Sequence, residues 1–266
     1  MSHRTIETMT NLAFFLLAAL AAAPSAAPTG ALPIIALDPG HGGDQAGAHG
    51  ICGAWEKDIT LQIAKRVARV LEASGRARPL LTRDHDETLA LPLRSERALA
   101  ARARLFLSIH ANASVNPTAR GVETFFLSLQ PTEKRLRRLV DRENEGAGLA
   151  PARSGDPLAL VLGGLRLDAA HVESQALAMS LQRAMVAHLH SRGRGVLQAP
   201  FMVLLGARMP AALVEVGFLT HPQECVRLTT EEGQEAIAEA IAAGVLAHLA
   251  VGRTVAAQMP GVLPGA

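Results

Sequence analysis

Short apolar runs alternate with stretches of helical periodicity along most of this chain. IIAL (34–37) is a run of strand length, and DPGHGGDQAGAHG (38–50), with glycines at 40, 42, 43, 47 and 50, reads as a tightly turning loop. From Glu56 the period becomes helical, placing Ile59, Ile63, Val67, Val70 and Leu71 on one face. RPLLT (78–82) reads as a strand, residues 93–102 as a second helix, and LFLSI (105–109) as a buried strand running into His110. VETFFLS (122–128) follows a turn as a further strand. The charged stretch 132–145 reads as an exposed helix, GAGLAPARSGDP (146–157) as a linker, and 158–167 as a short apolar stretch. Helical spacing returns over about 173–190, with Leu177, Leu181 and Met185 one turn apart. FMVLLG (201–206) and ALVEVG (212–217) read as strands. A last helix is expected from Thr229, whose hydroxyl forms a capping pattern with Glu232, and it continues through Ile237, Ile241, Val245 and Leu249. This alternation predicts an α/β domain whose mixed, mostly parallel sheet is flanked by helices on both faces.

Composition narrows the picture. A chain of 266 residues accommodates one catalytic domain with short extensions. Hydrophobic residues make up 49% but aromatic ones only 3%, so the core is expected to be aliphatic, with alanine allowing close helix packing. A formal charge of +2, without basic runs or interleaved aromatics, excludes a nucleic-acid footprint. At the start, a polar segment with Arg4 precedes the apolar run Leu12–Ala23, then small residues and prolines, which is the plan of a secretory signal. The run is short for a membrane span, and no later stretch reads as long and apolar enough for one. The expected organisation is therefore a leader and linker over 1–30, a catalytic domain over 31–254 and a tail over 255–266. The mature form would be exported, to a periplasm or cell envelope or beyond. Cys52 and Cys225 remain in that form, and both a bridge and two buried thiols are compatible with the sequence.

The candidate chemistry sits where apolar runs meet polar residues. His41 follows the first strand, His110 and Asn112 follow LFLSI, and Glu215 interrupts LVEVG. Ligands in open α/β sheets bind beyond the carboxyl ends of parallel strands, so His41 and His110 are expected to converge. Glu56 opens the first helix, where its carboxylate can fold back to the same rim. Two histidines and one glutamate are a known catalytic zinc set, and a further carboxylate, Glu215, would serve as general base. Taken singly, each has an ordinary reading: a loop histidine, a hydrogen-bonded core histidine, a first-turn acid. DPGHGG lacks the lysine and G-K-S/T ending of a nucleotide loop.

Longer motifs carry a resemblance. LDPGHGG (37–43), WEKD (55–58), LTRD (81–84), LPLRSERALAARARLFLSIHANAS (91–114), ARGVETFFLS (119–128), VLQAPFMVL (196–204) and LVEVGFLTHPQE (213–224) resemble, in order, the zinc-dependent N-acetylmuramoyl-L-alanine amidases (amidase type 3). The resemblance spans about 34–249 and implies a six-stranded mixed sheet, with peptidoglycan as substrate and Zn2+ as cofactor. It also implies His41, Glu56 and His110 as zinc ligands, Glu215 as the catalytic glutamate, and supporting positions at Arg83, Glu123 and Asn112. Two residues depart from the pattern: Trp55 stands where a smaller or basic residue is common, and His221 where asparagine usually follows the threonine. His221 is expected in a supporting or surface place rather than as a fourth ligand. Relatives controlled by an activator protein carry a longer inserted helix that plugs the zinc, for which 130–175 shows no clear room. A zinc peptidase or deacetylase acting on another wall bond, and a non-catalytic wall-binding protein, are the alternative readings.

Overall fold

The strand-forming runs assemble into one sheet because each has a face to bury on either side. The computed structural model describes residues 31–145 and 169–258. The expected leader, the linker from 146, the apolar stretch 158–167 and the tail beyond 258 lie outside the described residues. Elements follow in the order β1 (Ile34–Pro39), α1 (Glu56–Ala73), β2 (Arg78–Leu81), α2 (Leu91–Ala100), β3 (Leu105–Asn112) and β4 (Val122–Leu127). Then come a 3-10 turn (Lys134–Leu136), α3 (Arg137–Glu143), α4 (Ala169–Leu189), β5 (Gly193–Ala199), α5 (Met202–Leu205), β6 (Ala211–Phe218), α6 (Pro222–Thr229) and α7 (Glu231–Gln258). The six strands are ordered β2-β1-β3-β6-β4-β5. β1 is parallel to β2 and β3, β3 to β6 and β4 to β5, while β4 and β6 run antiparallel.

Both faces are covered. On one, Ile35, Leu37, Leu107, Ile109, Val214 and Val216 pack with Ile59, Ile63 and Val67 of α1, Leu177, Leu181 and Met185 of α4, and Ile237, Ile241 and Val245 of α7. On the other, Ala36, Phe106, Phe125 and Leu213 meet Leu91 and Ala98 of α2, Leu136, Leu139 and Val140 near α3, and Phe201, Val203 and Leu204 around α5. The period of two along each strand divides the residues between these layers. α4 and α7 approach closely through small residues: a Cβ on Gly244 would lie 2.8 Å from Leu181 Cα.

Several expectations change. FMVLLG is not a strand: Met202–Leu205 is a helical turn, and the edge strand is Gly193–Ala199 just before it. A short apolar run does not distinguish strand from buried helix by period, and glycines 193 and 195 disguise the true strand. The charged stretch 132–145 holds only short helices, and Leu136, Leu139, Val140 and Glu143 turn inward. The last cap shifts by one residue. Thr229 ends α6 with its hydroxyl donating to Cys225 O (2.9 Å), and Thr230 Oγ1 accepts from Gly233 N–H (3.3 Å) at the start of α7. α6 begins at Pro222 with His221 as its N-cap, Nδ1 accepting from Glu224 N–H at 3.4 Å. Glu231–Val251 passes the length and composition test for a membrane span, with mean hydropathy 1.3. It is a core helix here, its apolar face buried against α1 and α4. Cys52 and Cys225 form a disulfide across 173 residues of sequence.

Candidate metal centre

Strand alternation brings the polar residues to one face. Phe106, Ser108 and His110 share a side of β3, Leu213 and Glu215 a side of β6, Glu123 and Phe125 a side of β4, and all face the α2/α3 layer. Register does the rest: His110 pairs with Glu215, and Glu215 with Glu123, across three adjacent strands. His110 and Asn112 lie within β3 rather than in the loop after it. His41 arrives from the loop after β1 with φ +61°, and its neighbour Gly42 has φ +128°. A buried guanidinium holds that backbone: Arg94 donates from Nη2 to His41 O (2.8 Å), from Nη1 to Pro39 O (2.8 Å) and to Asp38 Oδ1 (3.1 Å). Arg83, expected in a supporting role, donates to the carbonyls of Pro39 (3.1 Å), Gly40 (2.8 Å), Lys57 (2.9 Å) and His85 (3.2 Å), fixing the loop to α1. Gly40 leaves room for the His110 ring, since a Cβ there would lie 2.4 Å from Cε1.

Glu56 is aimed by two backbone donors, Ala48 N–H to Oε2 (2.9 Å) and Ala111 N–H to Oε1 (3.0 Å). His41, Glu56, His110 and a fourth residue, Glu143, bring one ligand atom each within 4.8 Å of one another. His41 Nε2 is 3.2 Å from Glu56 and 3.1 Å from Glu143, and His110 Nδ1 is 3.2 Å from Glu56 and 2.8 Å from Glu143. His41 Nε2 and Glu143 Oε2 are buried, and despite these separations neither makes a hydrogen bond of proper geometry among the described residues. His110 Nδ1 pairs with Glu56 Oε1 (3.2 Å), and the unengaged His41 and Glu143 atoms lie in the same cluster, where a bound ion would engage them. Nitrogen and oxygen ligands held about 2.1 Å from a tetrahedral centre stand about 3.4 Å apart, close to the observed separations. The residues therefore fit a divalent metal.

The electrostatics agree. Burial alone would lower His41, but the carboxylates of Glu56 and Glu143 push it up to about 10. His110 is likewise lowered by burial and raised on balance, mainly by Glu143. Burial raises Glu56 and Glu143, yet the histidines hold both below the usual carboxylate range. Two carboxylates thus draw protons onto two imidazoles, positive charge that a metal ion would supply instead. Glu215 goes the other way. Burial, then the negative charges of Glu143 and Glu56, push its carboxyl well above the ordinary range. Both its oxygens are buried and lack a hydrogen-bond partner among the described residues. Next to it, Glu123 accepts from Arg194 Nε (2.6 Å), Arg135 Nη1 (2.7 Å) and Asn112 Nδ2 (3.2 Å).

Glu143 is the residue that sequence reasoning missed. It ends α3, its Oε1 accepts from Arg142 Nε (2.8 Å), and it lines a cleft of about 330 Å³ with His41, His110, Arg142 and Leu91. A charged helix with no clear place in the sheet gives no spatial signal in a linear sequence. The seven residues of α3 bring this carboxylate onto the cluster. His221 stays outside the cluster, as the cap of α6.

The sequence profile of the N-acetylmuramoyl-L-alanine amidase family matches residues 35–247. N-acetylmuramoyl-L-alanine amidase AmiA of Escherichia coli K12 is 37% identical over 231 residues, covering 85% of this chain and 79% of that protein. AmiC of Escherichia coli O6:H1 is 33% identical, with 84% of this chain covering 54% of that longer protein. The solved structure of AmiC2 of Nostoc punctiforme superposes with a TM-score of 0.63 at 31% identity, covering 82% of this chain and 97% of that one.

Proposed function

As a member of the N-acetylmuramoyl-L-alanine amidase family, the chain hydrolyses the amide between the lactyl group of N-acetylmuramic acid and L-alanine in peptidoglycan, and we propose that it does so with Zn2+ held by His41, Glu56 and His110. When bound, zinc supplies a Lewis acid that polarises the scissile carbonyl and acidifies water. Glu215 takes the proton from the attacking water and returns it to the departing alanine nitrogen. Its environment suits both halves of that task. Burial beside carboxylates makes it hold a proton firmly, while a nearby cation and the departure of Glu143 would draw it back toward ionisation. The observation that carries this role is a buried carboxylate, in register beside His110, with neither oxygen engaged among the described residues. Glu123, fixed by two arginines and Asn112, keeps its own charge satisfied and leaves Glu215 free to exchange protons.

With zinc held by His41, Glu56 and His110, the Glu143 carboxylate in the same cluster would compete with water and substrate for the metal, so we infer that this arrangement is a closed one. Substrate requires α3 to withdraw, the natural point of action for an activator protein. Export follows from the substrate, which lies outside the cytoplasmic membrane, and is supported by the leader-like first thirty residues and the Cys52–Cys225 bridge.

Digestion of purified peptidoglycan, with product masses and metal content measured together, tests the assignment. The wild-type chain should release stem peptides with free N-terminal alanine, and Glu215→Gln should bind one zinc with turnover reduced about 10²–10⁴-fold. New reducing sugar ends, or normal turnover in the zinc-loaded Glu215→Gln variant, would overturn it.

A further inference from the structure

Trp55 is the one tryptophan in a chain without tyrosine, and it departs from the pattern around it in sequence. Its side chain is not in the core: the residue is 42% exposed. The indole packs against His49 with ring centroids 4.3 Å apart and planes inclined by 49°. His49 and Trp55 also pair through an isolated antiparallel bridge. Between them the turn is closed by Gly50 N–H to Ala54 O (2.8 Å) and Gly53 N–H to Gly50 O (3.0 Å). Ile51 N–H donates to Leu219 O (3.1 Å), and Cys52 is joined to Cys225 of α6, so the turn is tied to the fold at two further points. Residues 49–55 thus form a stiff tongue that keeps Trp55 and Ile51, which is 60% exposed, in solvent.

The base of the tongue belongs to the metal centre. Trp55 is the N-cap of α1 and the residue before Glu56, so their Cα atoms lie about 3.8 Å apart. Glu56 N–H donates to Ala48 O (2.9 Å) and Lys57 N–H to Ala46 O (3.2 Å), which locks the tongue to the first turn of the helix that delivers a cluster carboxylate. A rigid indole at this place has a use that packing does not supply. One ring face meets His49, and the remainder is available to a ligand. Trp55 and Ile51 are two exposed apolar side chains, far fewer than a stable protein interface needs. An indole face carries negative electrostatic potential and accepts weakly positive C–H groups as it accepts aromatic edges. A pyranose ring presents such a C–H face, with its hydroxyls directed outward to water.

We propose that Trp55, backed by His49, is a glycan-strand subsite that stacks on an N-acetylhexosamine ring close to the muramoyl residue being cut. The proposal rests on the amidase reading above, because a polysaccharide running past the metal centre is what brings such a ring to this tongue. It gives the chain a handle on the glycan as well as on the amide, and it explains why a bulky aromatic is kept in water by so many tethers.

Since Trp55 is the one tryptophan, intrinsic emission reports on this contact directly. The zinc-loaded protein would be titrated with the N-acetylglucosamine hexamer, with glycan strands stripped of peptide, and with free stem peptide. Saturable change of emission with either glycan and none with the peptide is expected. A change with stripped strands alone supports the proposal and assigns the contact to a muramyl ring. Calorimetry with the effective glycan should show binding weakened about tenfold or more in Trp55→Ala and partly retained in Trp55→Phe, with zinc content and melting temperature unchanged in both. No emission change with either glycan, a change with peptide alone, or equal glycan affinity in Trp55→Ala overturns the proposal. Amide cleavage is followed on the same samples. Cleavage without glycan-dependent emission sinks the subsite alone, whereas glycan binding without amide cleavage sinks the amidase reading and leaves the contact standing.

Discussion

Replacing Glu143 by glutamine should produce a more active enzyme. Its carboxylate lies 3.1 Å from His41 and 2.8 Å from His110, and Arg142 Nε donates to it at 2.8 Å. Glutamine keeps the volume and removes the charge that binds α3 to the centre. A close charge pair of this kind is coupled by about 1.5–3 kcal/mol, the lower part of the range for close pairs. Loss of one such contact would shift the balance between closed and open arrangements by about 10–100-fold, at about 1.4 kcal/mol per decade. Where the closed arrangement dominates, the rate of peptidoglycan hydrolysis rises by the same factor. Three ligands remain, so the variant should still bind one zinc. The assay is solubilisation of labelled peptidoglycan at equal zinc loading, with metal content measured on the same preparation. An unchanged rate would refute the gating role of α3. Zinc content well below one per chain would show instead that Glu143 is an indispensable ligand.

Other expectations concern pH, metal and the scaffold. Without metal, His41 is raised from 6.5 to about 10 on folding. Its contribution to stability is complete below 6.5 and is lost as pH rises through about 10, so the melting temperature of metal-free protein should fall across that window. Zinc replaces those protons, so loading at neutral pH should release protons detectable with an indicator dye, and the alkaline loss should be smaller in loaded protein. Gly40→Ala puts a methyl into the His110 ring. It should weaken zinc binding at least tenfold in competition with a chelating dye, with the far-ultraviolet dichroism retained. Reduction of Cys52–Cys225, or Cys52→Ala with Cys225→Ala, should lower stability by about 2–4 kcal/mol in denaturant titrations.

Much of this protein is legible in one dimension. Apolar runs of strand length and helices such as Ile59–Ile63–Val67 declare an α/β sandwich because burial imposes its period on the sequence. His41, Glu56, His110 and Glu215 stand out because polar residues at the ends of apolar runs are costly unless they are used. The local signals fail where two structures share one pattern. FMVLLG fits a strand as well as a helical turn, and Thr229 fits a cap as well as Thr230 does, so neighbours decide. Only the tertiary structure aligns Glu123, Glu215 and His110 across β4, β6 and β3, since register is a relation between strands and not a property of any one. It alone pairs Cys52 with Cys225 and turns Glu143 inward onto the cluster. The sequence therefore determined the layers and the chemical repertoire, which local physics encodes. Convergence decided that the Glu143 carboxylate joins the cluster, because a side chain meets its charge partners in space and not through its place in the chain.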